Sequence, residues 1–244
     1  MRGNGTEKTE AVIFDKDGTL VDFDAFWVSL SEVATRDVLQ RLGQREELLW
    51  DVLEAFGVHC GETDINSVLC KGTYTEMAEI FSAILEKNGY RISSDALEIL
   101  LREAYNTHAP EGEVKATGET LRQVLLTLKK SKKLAVITTD NEQITLLCLN
   151  KLGIADLFDK IYIDDGEMAA KPDPASALDF CRSFGIKKEN VVVVGDTLTD
   201  VLFARNAGIR MVGVAKSHKN RQILSEATET VIRDVSELLE LLEG

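Results

Sequence analysis

The chain has 244 residues, 44% of them hydrophobic and 28% charged, an ordinary soluble composition with length for one large domain or two smaller ones. Its formal net charge of −13 argues against a general nucleic-acid or anionic-membrane binder, since both need basic surface. No stretch approaches the apolar length of a membrane span.

Residues 1–10 (MRGNGTEKTE) are polar and lack the apolar core of a secretory signal, so the expected compartment is the cytoplasm. The run Ala11-Val12-Ile13-Phe14 then stops at Asp15-Lys16-Asp17-Gly18-Thr19-Leu20. Continuous apolar character without alternation predicts a strand buried on both faces, as in a parallel sheet covered by helices. Alternate side chains share a face along a strand, so Asp15 and Asp17 start out on the same side. Two carboxylates there repel each other unless a cation or a shared proton intervenes, which marks a site.

From Asp22 to about Gly112 the pattern is helical, with Phe26, Leu30, Ala34 and Val38 on one stripe and Leu48, Leu49, Val52, Leu53 and Phe56 on another. Further helices fit residues 73–88 and 94–105, and no strand stands out. The block holds 17 Asp or Glu against 7 Lys or Arg, an acidic all-helical insertion. From about Leu121 helix and strand alternate: helix 119–131, the run 134–137 ending at Thr138-Thr139-Asp140, helix 141–151, the run 160–163, and a helix near 174–184. The run 191–194 follows and ends at Gly195-Asp196. A helix at about 199–206, the run 211–214, a short strand at 230–232 and a helix at 235–242 complete the chain. This rhythm predicts a doubly wound, mostly parallel Rossmann-like α/β sheet, with residues 1–21 and 113–244 as core and 22–112 as a helical cap. Ligands bind such sheets beyond the strand C-termini, which puts Asp15/Asp17, Thr138/Thr139 and Asp196/Asp200 on one rim. The four cysteines (Cys60, Cys70, Cys148, Cys181) are scattered among apolar neighbours, a pattern of buried free thiols rather than disulfides.

Two further segments belong to that rim. Lys171-Pro172-Asp173-Pro174 spends two of the chain's three prolines on a stiff segment that can hold a lysine beside clustered carboxylates. Gly195-Asp196-Thr197-Leu198-Thr199-Asp200 puts two acids at a strand end and in a first helical turn. One such acid fits helix capping; both, beside the first pair, suggest a hard-cation site built of oxygens.

With these residues the chain resembles the haloacid dehalogenase-like hydrolases, in the phosphatase branch with a helical cap after the first strand, similar to phosphoglycolate phosphatases. Four motifs occur in order: DKDGTL at 15–20, Thr138 ending a strand, Lys171 before a proline, and GDTLTD at 195–200. The resemblance implies Asp15 as the nucleophile that forms an aspartyl-phosphate, and Asp17 as general acid and then general base. It implies phosphoryl contacts from Thr138, with Thr139 and Gly18 beside it, and a charge-neutralising Lys171. Asp15, Asp196, Asp200 and Asp17, the last through its backbone carbonyl, are the expected Mg2+ set. The expected substrate is a small phosphate monoester such as a phosphoglycolate-like acid or a sugar phosphate. Nucleic acid and membrane are not expected partners.

Within that superfamily Asp17 separates a phosphatase from the dehalogenase and phosphonate-cleaving branches, which lack the second carboxylate. Cys70-Lys71-Gly72-Thr73 resembles the cap loop of a sugar-phosphate mutase, but Thr75 stands where the mutase has arginine and Trp27 where it has histidine. Both departures favour hydrolysis. In the acidic cap, Lys71, in a polar turn, is the first candidate to meet a second anionic group of the substrate, with Arg41 and Arg36 behind it. A receiver-like phosphoacceptor module, with Asp164-Asp165 as acceptor, is the alternative from another class; the order of Lys171 and the large insertion argue against it.

Overall fold

The structure, a computed structural model, describes residues 8–64 and 67–243. Residues 1–7 of the polar segment judged free of a secretory signal lie outside the described residues. The chain divides into two compact units, one from Met1–Asp22 with Lys115–Gly244 and one from Phe23–Val114.

The first unit opens with β1 (Ala11–Phe14). The second unit then begins with a π-type turn at Asp24–Val28 that runs into α1 (Ser29–Arg41), followed by α2 (Leu48–Ala55). A two-stranded antiparallel ribbon, β2 (Val58–His59) and β3 (Glu62–Thr63), interrupts the helices and corrects the expectation of an all-helical segment. Strands of two residues are too short to show a period, so the ribbon leaves no pattern in the sequence. The unit ends with α3 (Val68–Lys71), α4 (Tyr74–Lys87) and α5 (Ser94–His108). Lys71 therefore closes a single helical turn, not a free polar turn. α4 starts on a capping box in which Thr73 and Glu76 satisfy each other's backbone N–H groups. α5 packs against both α1 and α4, burying Leu30, Val38, Phe81, Leu97 and Leu101. Tyr105, fully buried, donates its hydroxyl to Ser31 Oγ at 2.7 Å. Trp27 is buried against Phe26 and Tyr105, whereas Trp50 on α2 is 62% exposed. Cys60, at the tip of the ribbon, is exposed and Cys70 half-buried; only Cys148 and Cys181 are the buried thiols expected, and all four are free.

The first unit resumes with α6 (Leu121–Lys129), β4 (Lys133–Ile137), α7 (Glu142–Lys151), β5 (Lys160–Tyr162) and α8 (Ala175–Phe184). Then come β6 (Val191–Gly195), α9 (Leu198–Ala207), β7 (Arg210–Val214), α10 (His218–Ser225), β8 (Val231–Ile232) and α11 (Leu238–Glu243). α10 was not read from the sequence, because a polar segment with one buried leucine, Leu224, carries no apolar stripe. The six strands pair in the order β5-β4-β1-β6-β7-β8, all parallel. Strand order reverses at β1, which is hydrogen-bonded to β4 on one side and β6 on the other. Alternate residues of β1 enter opposite core layers. Val12 and Phe14 join Leu125, Leu128 and Leu149 on one face, and Ala11 and Ile13 join Phe180 and Phe203 on the other. Each buried Val or Leu contributes about 1.5–3 kcal/mol relative to exposure, so this central strand is held firmly up to the residue where its carboxylates begin.

Candidate active site

Asp15 extends β1 by one residue, its N–H donating to the Val194 carbonyl at 2.8 Å. The chain then turns: the Leu20 and Val21 N–H groups both donate to the Lys16 carbonyl. Gly18 makes this turn possible. Its φ is +77°, and a Cβ there would stand 2.0 Å from Asp196 Oδ2. The turn also ends the alternation expected of Asp15 and Asp17. Their carboxylates enter two adjoining clusters instead of one, because the face-sharing rule lasts only as long as the extended backbone.

In the first cluster, Lys171 Nζ donates to Asp15 Oδ1 and, at 2.8 Å, to Asp200 Oδ1. All three side chains are nearly closed to solvent, Asp200 being 1% exposed. Asp200 is anchored by the start of α9, where its Oδ2 accepts from the N–H and hydroxyl of Thr197 and Thr197 Oγ1 accepts from the Asp200 N–H. Helix capping and service to the cluster are thus one arrangement, not alternatives. Gly195 allows it: a Cβ there would meet Asp200 Cγ at 2.5 Å. Asp196 completes the group and accepts from Thr19 Oγ1 at 3.1 Å.

The electrostatics follow from burial. Desolvation raises the Asp15 carboxyl to about 7, Lys171 opposing and Asp200 and Asp17 adding to the rise. Asp196 is raised by burial and then by Asp15 and Asp200. Lys171 is pushed down by burial, but Asp15 and Asp200 overcome that and hold it above its ordinary value. Three carboxylates face one ammonium. Ligand oxygens of Asp15, Asp196 and Asp200 lie within 4.8 Å of one another, an all-oxygen donor set with excess negative charge that suits a hard divalent cation. The Asp17 side chain stands outside this trio; its expected part there is its backbone carbonyl.

In the second cluster, Lys16, with no exposed surface, places Nζ 2.7 Å from Asp17 Oδ1 and 2.8 Å from Asp140 Oδ2. Burial lowers the affinity of Lys16 for its proton, yet Asp140 and Asp17 more than reverse this. Burial raises Asp140 to about 7 against the pull of Lys16. Thr138, buried at the end of β4, accepts the Asp140 N–H on its Oγ1 at 3.2 Å, while Thr139 is exposed.

Asp15, Lys171, Asp196 and Asp200 therefore meet in one place, with Gly18 packed on Asp196 and Asp17 adjoining. Lys71 belongs to the other unit, where it is exposed and lines an open hollow of about 400 Å³ with Ser67, Glu76 and Glu79. Arg36 is engaged by Glu32 and Glu46, and Arg41 by Asp37 and Glu103. Lys16 and Asp140 were missed by sequence reasoning. The signal was present: a lysine between two aspartates, directly after a strand buried on both faces, has no short path to water.

The model of haloacid dehalogenase-like hydrolases matches residues 9–208. The chain is 30% identical to a phosphoglycolate phosphatase of Neisseria meningitidis, over 97% of this chain and 95% of that one. It is 27% identical to pyrophosphatase PpaX of Bacillus velezensis, over 96% and 97%. The solved structure of a Thermotoga maritima protein, provisionally assigned as a β-phosphoglucomutase, superposes with a TM-score of 0.67 at 25% identity, covering 96% of this chain and 98% of that chain.

Proposed function

The chain belongs to the haloacid dehalogenase-like hydrolases, and from that premise we propose that it is a Mg2+-dependent phosphatase acting on a small phosphorylated metabolite, a phosphoglycolate-like acid or a sugar phosphate. The observation that carries this reading is the Asp15 carboxylate, held by Lys171 within a trio of acids at the point where strand order reverses. Asp15, Asp196 and Asp200, with the Asp17 carbonyl, would hold the cation, which supplies charge neutralisation for the phosphoryl oxygens.

The chain's own residues supply the rest. A carboxylate oxygen of Asp15 attacks phosphorus, and the bond from phosphorus to the leaving oxygen breaks as Asp17 delivers a proton to it. Water then attacks the aspartyl-phosphate, Asp17 takes up its proton, and cleavage of the Asp15–phosphorus bond releases phosphate. Lys171 offsets charge on Asp15 in the resting site and on the phosphoryl group during transfer. The Thr138 hydroxyl accepts from the Asp140 N–H, which leaves its own hydrogen to donate to a phosphoryl oxygen. The helical unit, Phe23–Val114, is the proposed cap, and Lys71 its cation for a second anionic group of the substrate.

The test is phosphate release from a panel of phosphorylated metabolites, with and without Mg2+, beside Asp15→Asn. Release that needs Mg2+, and a phosphoenzyme seen by mass after acid quench in wild type but not in Asp15→Asn, are expected. A panel without any release overturns the reading. Isomerised sugar phosphate with no free phosphate makes the protein a mutase instead.

A further inference from the structure

Two members of the second ion-pair cluster, Lys16 and Asp140, have no part in the mechanism above, although the third, Asp17, does. Lys16 is wholly buried, and its ammonium reaches two carboxylates, Asp17 Oδ1 at 2.7 Å and Asp140 Oδ2 at 2.8 Å. A buried lysine is costly unless its hydrogens are placed, and an ammonium offers three donors in fixed tetrahedral directions. One of those donors is given to Asp17 Oδ1, and the Asp140 carboxylate stands in ion-pair contact beside the same ammonium, so the two acids are held on one buried charge. Asp140 is itself firmly seated. Its N–H donates to Thr138 Oγ1, its carbonyl accepts from the Asp164 N–H, and the next residue, Asn141, caps α7 by accepting from the Ile144 N–H. The anchored end of this chain of contacts is the end of β4, and the other end is Asp17.

We propose that Lys16 and Asp140 form a buried clamp that fixes the Asp17 carboxylate, leaving Oδ2 as the oxygen that exchanges a proton with the leaving group and then with water. The proposal rests on the phosphatase reading and adds two positioning residues to it. Neither touches the reacting atoms. Lys16 occupies Asp17 Oδ1, and Asp140 prevents the flexible lysine stem from following Asp17 to another rotamer. Proton delivery matters most when the leaving oxygen is a poor leaving group, so the clamp matters for alkyl phosphates and little for aryl phosphates.

The near-isosteric Asp140→Asn is the first variant to make. Its rate of phosphoenzyme formation from an alkyl phosphate, read in a single turnover, should fall roughly ten- to a hundredfold with little change in substrate affinity, and from an aryl phosphate less than about threefold. Phosphoenzyme should still form from the aryl phosphate but turn over more slowly. In an Asp17→Asn background, adding Asp140→Asn should cost less than about twofold on either substrate, because the residue it positions is already disabled. Lys16→Met, which keeps the length of the stem, should repeat the pattern; if it fails to fold, the Asp140 series decides alone. Equal losses on both substrates in phosphoenzyme formation, a full additional loss in the Asp17→Asn background, or an unchanged Asp140→Asn each overturn the clamp. A folded wild type that releases no phosphate overturns the phosphatase reading and the clamp with it, whereas an active wild type with an indifferent Asp140→Asn overturns the clamp alone.

Discussion

Lys171 is the only cation bonded to two members of the acidic trio among the hydrogen bonds of the described residues, joining Asp15 and Asp200. Replacing it by Met leaves the buried Asp15 and Asp200 carboxylates without their counter-charge, and breaking such a pair costs about 3–5 kcal/mol. Lys171→Met should therefore unfold at markedly lower urea, and Mg2+ should restore part of the loss, since a cation among the acids replaces the missing charge. A urea titration with and without Mg2+ checks both. Asp17 is tested by its leaving group: Asp17→Asn should slow phosphoenzyme formation from an alkyl phosphate far more than from an aryl phosphate, read in a single turnover. Equal loss on both removes the general-acid assignment. Gly18→Ala forces a side chain into a left-handed backbone and onto the Asp196 carboxylate. A cost of about 1–3 kcal/mol is expected, with loss of the Mg2+-induced shift in unfolding midpoint. At this scale Asp15, Thr138 and Asp196 were legible from sequence because each stands where an apolar run ends, Asp200 because it adds a second acid in the following first helical turn, and Lys171 because it opens a stiff segment. Lys16 carried a signal in its place between two aspartates after a buried strand, but Asp140 carried none, since its pairing depends on how the end of β4 meets the turn after β1.

Asp159 sits at the edge of the sheet, just before β5. Its carboxylate accepts from the Leu134 N–H at 2.9 Å and pairs with Lys129 at 2.7 Å and Lys133 at 2.8 Å, so one side chain ties α6, β4 and β5 together. Burial pushes its carboxyl up, but Lys129, Lys133 and the Leu134 N–H overcome this and hold it down at about 2. A depressed folded-state value means stability that is complete above the ordinary carboxylate value of 3.8 and is lost as pH falls through about 2. The contribution is about 2 kcal/mol. Asp159→Asn should lose that amount at pH 7 and progressively less below pH 4, read from unfolding free energies across the acid range. The elements themselves were legible where continuity or rhythm helped: β1, β4, β6 and β7 coincide with apolar runs, the short β5 and β8 were placed by the alternation of strand with helix, and the longer helices coincide with an apolar stripe. The β2–β3 ribbon and α10 were not, because two-residue strands have no period and α10 buries a single leucine.

At the scale of the whole molecule, the helical unit is a continuous insertion between the two segments of the α/β unit. With Lys71 as its proposed substrate contact, Lys71→Ala should lower kcat/KM for a doubly anionic substrate about ten- to a hundredfold, the scale of a charge-assisted hydrogen bond. Activity on a neutral-bodied aryl phosphate should barely change; equal losses on both make Lys71 structural. The composition changes at Asp22, from sheet-forming to acidic and helical, beside the start of the second unit at Phe23; Glu32 and Asp37, four residues before Arg36 and Arg41, are partners a helical spacing offers, whereas Glu46 and Glu103 are not. Both tryptophans of the chain, Trp27 and Trp50, lie in the helical unit, while the acidic trio lies wholly in the other. Tryptophan fluorescence, excited selectively, therefore reports on the unit that does not hold the acids. A Mg2+-dependent shift in the fluorescence-detected melting curve would have to be transmitted from one unit to the other, whereas a far-ultraviolet circular dichroism melt records both. The gap between the two melts, with and without the ion, turns an accident of tryptophan placement into a built-in gauge of interdomain coupling.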